Sequence, residues 1–186
     1  LTIPADGTEE ATGELTSVSI GTATATDLVD ANPVITNDAP ATFPLGDTAV
    51  KWTATDDSGN STSATQVVTV EDTTPPEITD VTADPSDLWP VNNKMKSVTV
   101  TVVATDAIAS PNCSISSVTN NETGDADAEQ TGDLTVDLKA SRSGNGSGRV
   151  YTITVECTDG TNVSEGEVDV TVPHDQGNGK AKGRNK

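Results

Sequence analysis

Apolar and polar residues alternate with a period of two along much of this chain. Ser97-Val98-Thr99-Val100-Thr101-Val102 and Val168-Asp169-Val170-Thr171-Val172 set β-branched residues on one face and polar ones on the other, the pattern of strands with one buried face. The pattern predicts strands near Ser17–Thr26, Pro33–Asn37, Thr48–Thr55 and Ser61–Val70, then at Glu77–Ala83, Lys96–Thr105, Ser114–Asn120, Thr131–Ala140, Gly148–Thr158 and Val163–Val172. Asn37-Asp38, Leu45-Gly46-Asp47 and Asp57-Ser58-Gly59-Asn60 supply turns. No segment carries a helical period. The pair Pro75-Pro76 removes two donors and fixes an extended path that a central strand would not tolerate. It divides the chain into segments 1–72 and 73–173, with a basic tail at 174–186.

A weak internal repeat orders the strands further. Thr24-Ala25-Thr26-Asp27, Thr53-Ala54-Thr55-Asp56, Val103-Ala104-Thr105-Asp106 and Glu156-Cys157-Thr158-Asp159 each close a strand with Thr-Asp, twice per segment. If these are the second and sixth strands of a sandwich, B and F, the aspartates of one segment gather at the end that carries the B–C and F–G loops. The expected fold is therefore all-β, two tandem immunoglobulin-like antiparallel β-sandwiches. Alternation places Val50, Trp52 and Ala54 in the first core, and Tyr151, Ile153, Val155 and Cys157 in the second with Val98, Val100, Val102 and Ala104. Val18 and Ile20 are out of step with Ala23 and Ala25, which calls for a bulge near Gly21.

Residues 15–76 resemble the hyalin-repeat (HYR) module, through Gly21-Thr22-Ala23-Thr24-Ala25-Thr26-Asp27, Phe43-Pro44-Leu45-Gly46, Val50-Lys51-Trp52-Thr53-Ala54-Thr55-Asp56 and Asp57-Ser58-Gly59-Asn60. Leu28-Val29 stands where many repeats have Asn-Cys, so the frequent disulfide of the family is missing. Residues 77–175 resemble a module that follows such repeats in secreted bacterial proteins, through Leu88-Trp89-Pro90-Val91-Asn92-Asn93-Lys94-Met95, Gly148-Arg149-Val150-Tyr151 and Val172-Pro173-His174-Asp175. The resemblance implies a β-sandwich with adhesive or spacer roles, an extracellular setting and no chemistry of its own. The sequons at Asn60, Asn121, Asn145 and Asn162 carry no weight in a bacterial source.

Composition narrows the function. A net charge of −19 argues against nucleic acid or anionic lipid as partner, because both need Lys and Arg to neutralise phosphate. Only the tail reverses sign, with Lys180, Lys182, Arg184 and Lys186 against Asp175. Nothing reads as a membrane span or a leader peptide. The one histidine, His174, lies in the tail, and the carboxylates are scattered on turns, so neither acid–base nor nucleophilic catalysis finds its groups. Cys113 begins the strand after the B–C loop and Cys157 ends the F strand, an arrangement that predicts one disulfide.

The acidic turns point to a cation. Calcium takes six to eight oxygens, mostly carboxylate and carbonyl. Glu71 and Asp72 on the linker with Asp106 and Asp159 form the predicted calcium set, and Asp27, Asp56 and Asp57, with Asp6 on the incoming segment, form a second. Asp125-Ala126-Asp127-Ala128-Glu129 begins like an EF-hand loop but lacks its later glycine and glutamate. The resulting expectation is a non-catalytic structural or adhesive module pair, a calcium-stiffened spacer whose partners are other modules of the same chain or neighbouring subunits, or a surface protein. The alternatives are an accessory carbohydrate-binding module of a secreted hydrolase, for which Trp89 is the candidate platform, and a subunit of an extracellular filament.

Overall fold

The structure is a computed structural model that describes residues 1–122, 127–144 and 147–174. Asp125, Ala126, Asn145 and the basic tail beyond His174 fall outside the described residues. Every regular element described is a strand. No helix among the described residues is long and apolar enough to cross a membrane. The chain forms two compact units, Leu1–Thr74 with Ala107–Ala109, and Pro75–Asp106 with Ser110 onward.

In the first unit, β1 (Gly7–Glu10), β6 (Ser61–Glu71), β5 (Gly46–Thr55) and β3 (Val34–Asn37) form one sheet in that order. The ladders are antiparallel except for β1, which runs parallel to β6. The other layer holds only the short pair β2 (Leu15–Thr16) and β4 (Phe43–Pro44). Phe43, Val50, Trp52, Val68 and Val70 are buried between them, with Val18, Ile20, Ala23 and Ile35 packed at the margin. Trp52 is 4% exposed, as its place in the alternation predicts.

The expected strand at Ser17–Thr26 does not form. Its residues make one isolated bridge, in which Thr24 and Thr2 exchange hydrogen bonds of 2.7 and 2.9 Å. The cause is the parity change. Val18 and Ile20 turn inward on one phase, Ala23 and Ala25 on the other, and Gly21 absorbs the switch at φ 79°, where a side chain would also press on the Pro4 ring. Gln66 replaces the missing ladder. It is buried on β6, accepts from Trp52 Nε1 at 3.0 Å, and donates to the carbonyls of Ala5 at 2.8 Å and Ile20 at 3.3 Å.

The second unit contains β7 (Glu77–Asp84), β8 (Met95–Thr105), β9 (Asn112–Asn120), β10 (Ala128–Gly132), β11 (Thr135–Lys139), β12 (Gly148–Thr158) and β13 (Val163–Pro173). Its sheets have the orders β10-β11-β8-β7 and β13-β12-β9. Lettered A to G along the chain, these are D-E-B-A and G-F-C, the strand order of a constant-type immunoglobulin sandwich. Between them lies a single apolar core with Val98, Val100, Val136, Leu138, Tyr151, Ile153, Val155, Val170 and Val172 fully or almost fully buried. The expected strand Thr131–Ala140 is instead the hairpin β10–β11, because Gly132-Asp133-Leu134 reverses the chain. Cys113 and Cys157 face each other in the β9–β12 ladder and are disulfide-bonded, with Cα atoms 4.0 Å apart.

Candidate metal centre

Asp106 follows β8 and Asp159 follows β12, the B and F strands of the second unit. Because both strands finish at the same end of the sandwich, their carboxylate oxygens come within 4.8 Å of one another, and both residues are half-buried. Two ligands of one calcium ion, each at 2.3–2.6 Å, stand at most about 5 Å apart, so this spacing fits a shared ion. Asp159 is held by the turn Asp159-Gly160-Thr161-Asn162, in which Gly160 takes φ 107°. Its Oδ1 accepts the amides of Thr161 at 2.6 Å and Asn162 at 2.7 Å. These bonds, the Asn162 amide foremost, hold the carboxyl below its ordinary pKa against the opposing effect of burial.

Register brings the entering chain to this end. Glu77, the first residue of β7, pairs with Thr105, next to Asp106. Asp72 lies five residues earlier in the sequence, and its Oδ1 accepts the Thr74 amide at 3.4 Å. Glu71 closes β6, and its carbonyl accepts from the Ala11 amide at 2.7 Å. Glu10, which the sequence pattern did not single out, fixes the same stretch. It accepts from the Thr73 amide at 3.0 Å, the Thr73 hydroxyl at 2.6 Å and the Thr74 hydroxyl at 2.7 Å.

The first-unit carboxylates serve turns. Asp27 Oδ1 accepts the amides of Val29 at 2.8 Å and Asp30 at 2.9 Å, and Asp56 accepts the Ser58 amide and both nitrogens of Asn60 at 2.8–2.9 Å. Both carboxyls are lowered, chiefly by the Asp30 amide for Asp27 and by the Asn60 side chain for Asp56, while Asp27 raises Asp56 slightly. Asp57 donates its amide to Asp30 Oδ2 at 3.1 Å, which makes Asp30 a further member of this loop cluster. Asp6 caps the other edge of β6 through the Val67 amide at 2.7 Å. A cavity of about 190 Å³ opens among Leu1, Ala25, Asp27, Pro33, Asp56 and Asn60. Of the EF-hand-like run, Asp127 is an ion-pair partner, 2.6 Å from Arg149 and 3.0 Å from Lys139.

Trp89 is 44% exposed, and Met95 is nearly as open. Lys96 holds the Trp89 carbonyl at 2.8 Å.

With the strand order and loop chemistry in view, comparison with known proteins adds one family. Residues 7–70 match the HYR domain family. The HYR segment thus spans β1 to β6 and includes the Trp52–Gln66 pair and the Asp27 and Asp56 turns. Among curated proteins no relative matches the chain. Among solved structures, human protocadherin-24 EC1-2 is 14% identical with a TM-score of 0.35, covering 76% of this chain and 80% of that one. The fibronectin(III)-like modules of Clostridium thermocellum CbhA are also 14% identical, with a TM-score of 0.36 and coverage of 91% and 90%.

Proposed function

We propose that this chain is a non-catalytic extracellular structural module pair, a spacer stiffened by calcium within a larger secreted or surface-exposed assembly. The observation that carries the reading is the pairing of Asp106 with Asp159 at the end of the second sandwich to which β7 delivers the entering chain. Asp106 and Asp159 supply the first carboxylate oxygens. Waters and backbone carbonyls complete the shell of a hard cation. The HYR match supports the extracellular setting, and the disulfide agrees with an oxidising compartment. Asp27, Asp56 and Asp57 form a secondary calcium set under the same reading.

Calcium binding only the folded, aligned state raises stability by mass action, about 2.7 kcal/mol at a hundredfold excess over the Kd. Melting curves and small-angle scattering with calcium or chelator test this, beside a protein carrying Asp106→Asn and Asp159→Asn. The expected result is a calcium-dependent rise in Tm and a fixed maximum dimension, both lost in the variant. Unchanged Tm and dimension in chelator would leave the carboxylates as turn caps. The exposed Trp89 favours a second reading, an accessory carbohydrate-binding module, and polysaccharide pull-down with Trp89→Ala tests it.

A further inference from the structure

Leu28 and Val29 are the most exposed large apolar side chains among the described residues. They sit at the tip of the loop that leaves Asp27, and that loop is tied down on both sides. Asp27 Oδ1 accepts the Val29 and Asp30 amides, and Asp30 accepts the Asn32 amide at 2.8 Å and the Asp57 amide at 3.1 Å. Turns closed by their own aspartates thus hold two apolar side chains out in water, where burial of either would be favourable. The same bonds set a collar of carboxylates about the tip, Asp27, Asp30 and Asp57. Lys51 is the only lysine or arginine between Leu1 and Thr74. Such a collar repels nucleic acid and anionic lipid, and suits an apolar protein face edged with cations.

The second unit carries a face of that kind. Trp89, Pro90 and Lys94 are exposed, while the neighbouring Leu88 is fully buried and anchors the segment. The Ala140 carbonyl accepts the Asn92 and Asn93 amides at 3.1 and 3.0 Å, and the Ala140 amide donates to the Lys94 carbonyl at 2.8 Å. Lys96 Nζ, on the Trp89 carbonyl, sets an ammonium group beside the tryptophan. Of the other lysines and arginines between Pro75 and His174, Lys139 and Arg149 are ion-paired within the unit, and Arg142 bonds the carbonyls of Pro173 and His174. The remaining positive charge, Lys94 and Lys96, therefore stands on the segment that bears the exposed tryptophan.

We propose that the Leu28–Val29 tip of one molecule packs on Trp89 of a second copy, with Asp27, Asp30 and Asp57 of the first set against Lys94 and Lys96 of the second. The two faces differ, so the contact is heterologous and passes from one molecule to the next. The net charge of −19 opposes association at long range. At physiological ionic strength that repulsion is screened beyond about 8 Å, whereas the contact itself brings unlike charges together. An interface this small belongs to the weak, transient class.

Sedimentation velocity over a concentration series tests the proposal on the full chain. The expected result is self-association of the unmutated protein that falls about tenfold or more in Leu28→Ser/Val29→Ser, in Trp89→Ala and in Lys94→Glu. The tip substitutions should leave Tm unchanged, because both side chains are already in water. Lys94→Glu, at an exposed position, keeps the test decisive if Trp89→Ala disturbs its own segment. Mixing Leu28→Ser/Val29→Ser with Trp89→Ala puts one intact tip and one intact tryptophan face on different molecules, and should restore one-to-one dimers that grow no further. A monomer at every concentration, or association that survives the tip substitutions, would overturn the proposal. Loss in the tip variant alone would overturn it in favour of a contact between two tips, and loss in every variant without recovery on mixing would overturn it outright.

Discussion

The carboxylate of Glu10 accepts two hydrogen bonds from Thr73, one from its amide at 3.0 Å and one from its hydroxyl at 2.6 Å. A residue near the start of the first unit thus fastens the segment that leads to Pro75-Pro76. These threonine bonds, the Thr73 hydroxyl first, hold Glu10 below its ordinary pKa. A lowered carboxyl contributes its stabilisation above the unfolded value, about pH 4.3, and loses it as pH falls through the lower folded value. Protection of the Thr73 amide, its exchange rate relative to an unfolded chain at the same pH, should therefore hold at neutral pH and fall as pH drops below about 4, the unfolded glutamate range. Glu10→Ala should lower that protection at neutral pH with little change in Tm, as read by exchange NMR.

Gln66 answers three groups at once, the buried Trp52 Nε1 and the part-buried carbonyls of Ala5 and Ile20, and Gln66→Leu removes all three bonds while keeping the volume. Leaving Trp52 Nε1 and two carbonyls without partners costs about 1–3 kcal/mol for each group that water cannot reach. The first unit should melt earlier with the second unchanged, which Trp52 fluorescence reports.

Arg149 joins Glu122, Asp127 and Tyr151. Its guanidinium lies 3.0 Å from Glu122 and 2.6 Å from Asp127, sits 5.5 Å from the Tyr151 ring centroid, and is largely shielded from solvent. Burial opposes its charge, and the bonds to Asp127, Tyr151 and Glu122 more than offset that, so its pKa is raised. Arg149→Ala takes the guanidinium from Glu122 and Asp127, leaving Asp127 with Lys139 and Glu122 with the Ser143 amide. It should destabilise the second unit by about 2 kcal/mol, less than the roughly 3–5 kcal/mol of a buried charge left with no partner. Arg149→Lys should recover only part of this, since one ammonium cannot reproduce the fork. Urea melts of both variants check the order.

The Cys113–Cys157 bond closes a loop with a sequence separation of 44 between strands already paired. Replacing both cysteines with alanine should cost the second unit roughly 2–4 kcal/mol, within the ceiling set by loop-closure entropy. Thermal melts of the variant and of reduced protein should agree; a variant as stable as the oxidised parent would assign the stability to the ladder alone.

The second core was legible because Tyr151, Ile153, Val155 and Cys157 alternate strictly with polar residues, and all four are buried. The disulfide was legible for a related reason, since each cysteine could be placed at a strand end. Thr131–Ala140 misled because Leu134 kept the apolar phase through a tight turn. Ser17–Thr26 misled because Val18 and Ile20 pack against the core without a ladder, and the segment pairs only through the Thr24–Thr2 bridge. The Thr-Asp closures marked Asp106 and Asp159 as the ends of two strands. Glu10, Asp30 and Gln66 left no local signal: their partners lie far along the chain, and only the closed fold brings them near.

The parallel register of β1 and β6, from Gly7↔Val68 to Glu10↔Glu71, sets how the first unit meets a pull on its ends. Because the opening and closing strands run the same way, the chain enters this unit at one end and leaves at the other. Tension then slides the two strands along each other and strains all their bonds together, where an antiparallel pair would unzip one bond at a time. The Ser86–Leu88 segment, bridged in parallel to Thr171 of β13, puts the second unit under the same shear. Each unit is thereby wired to resist extension along the direction in which its chain runs.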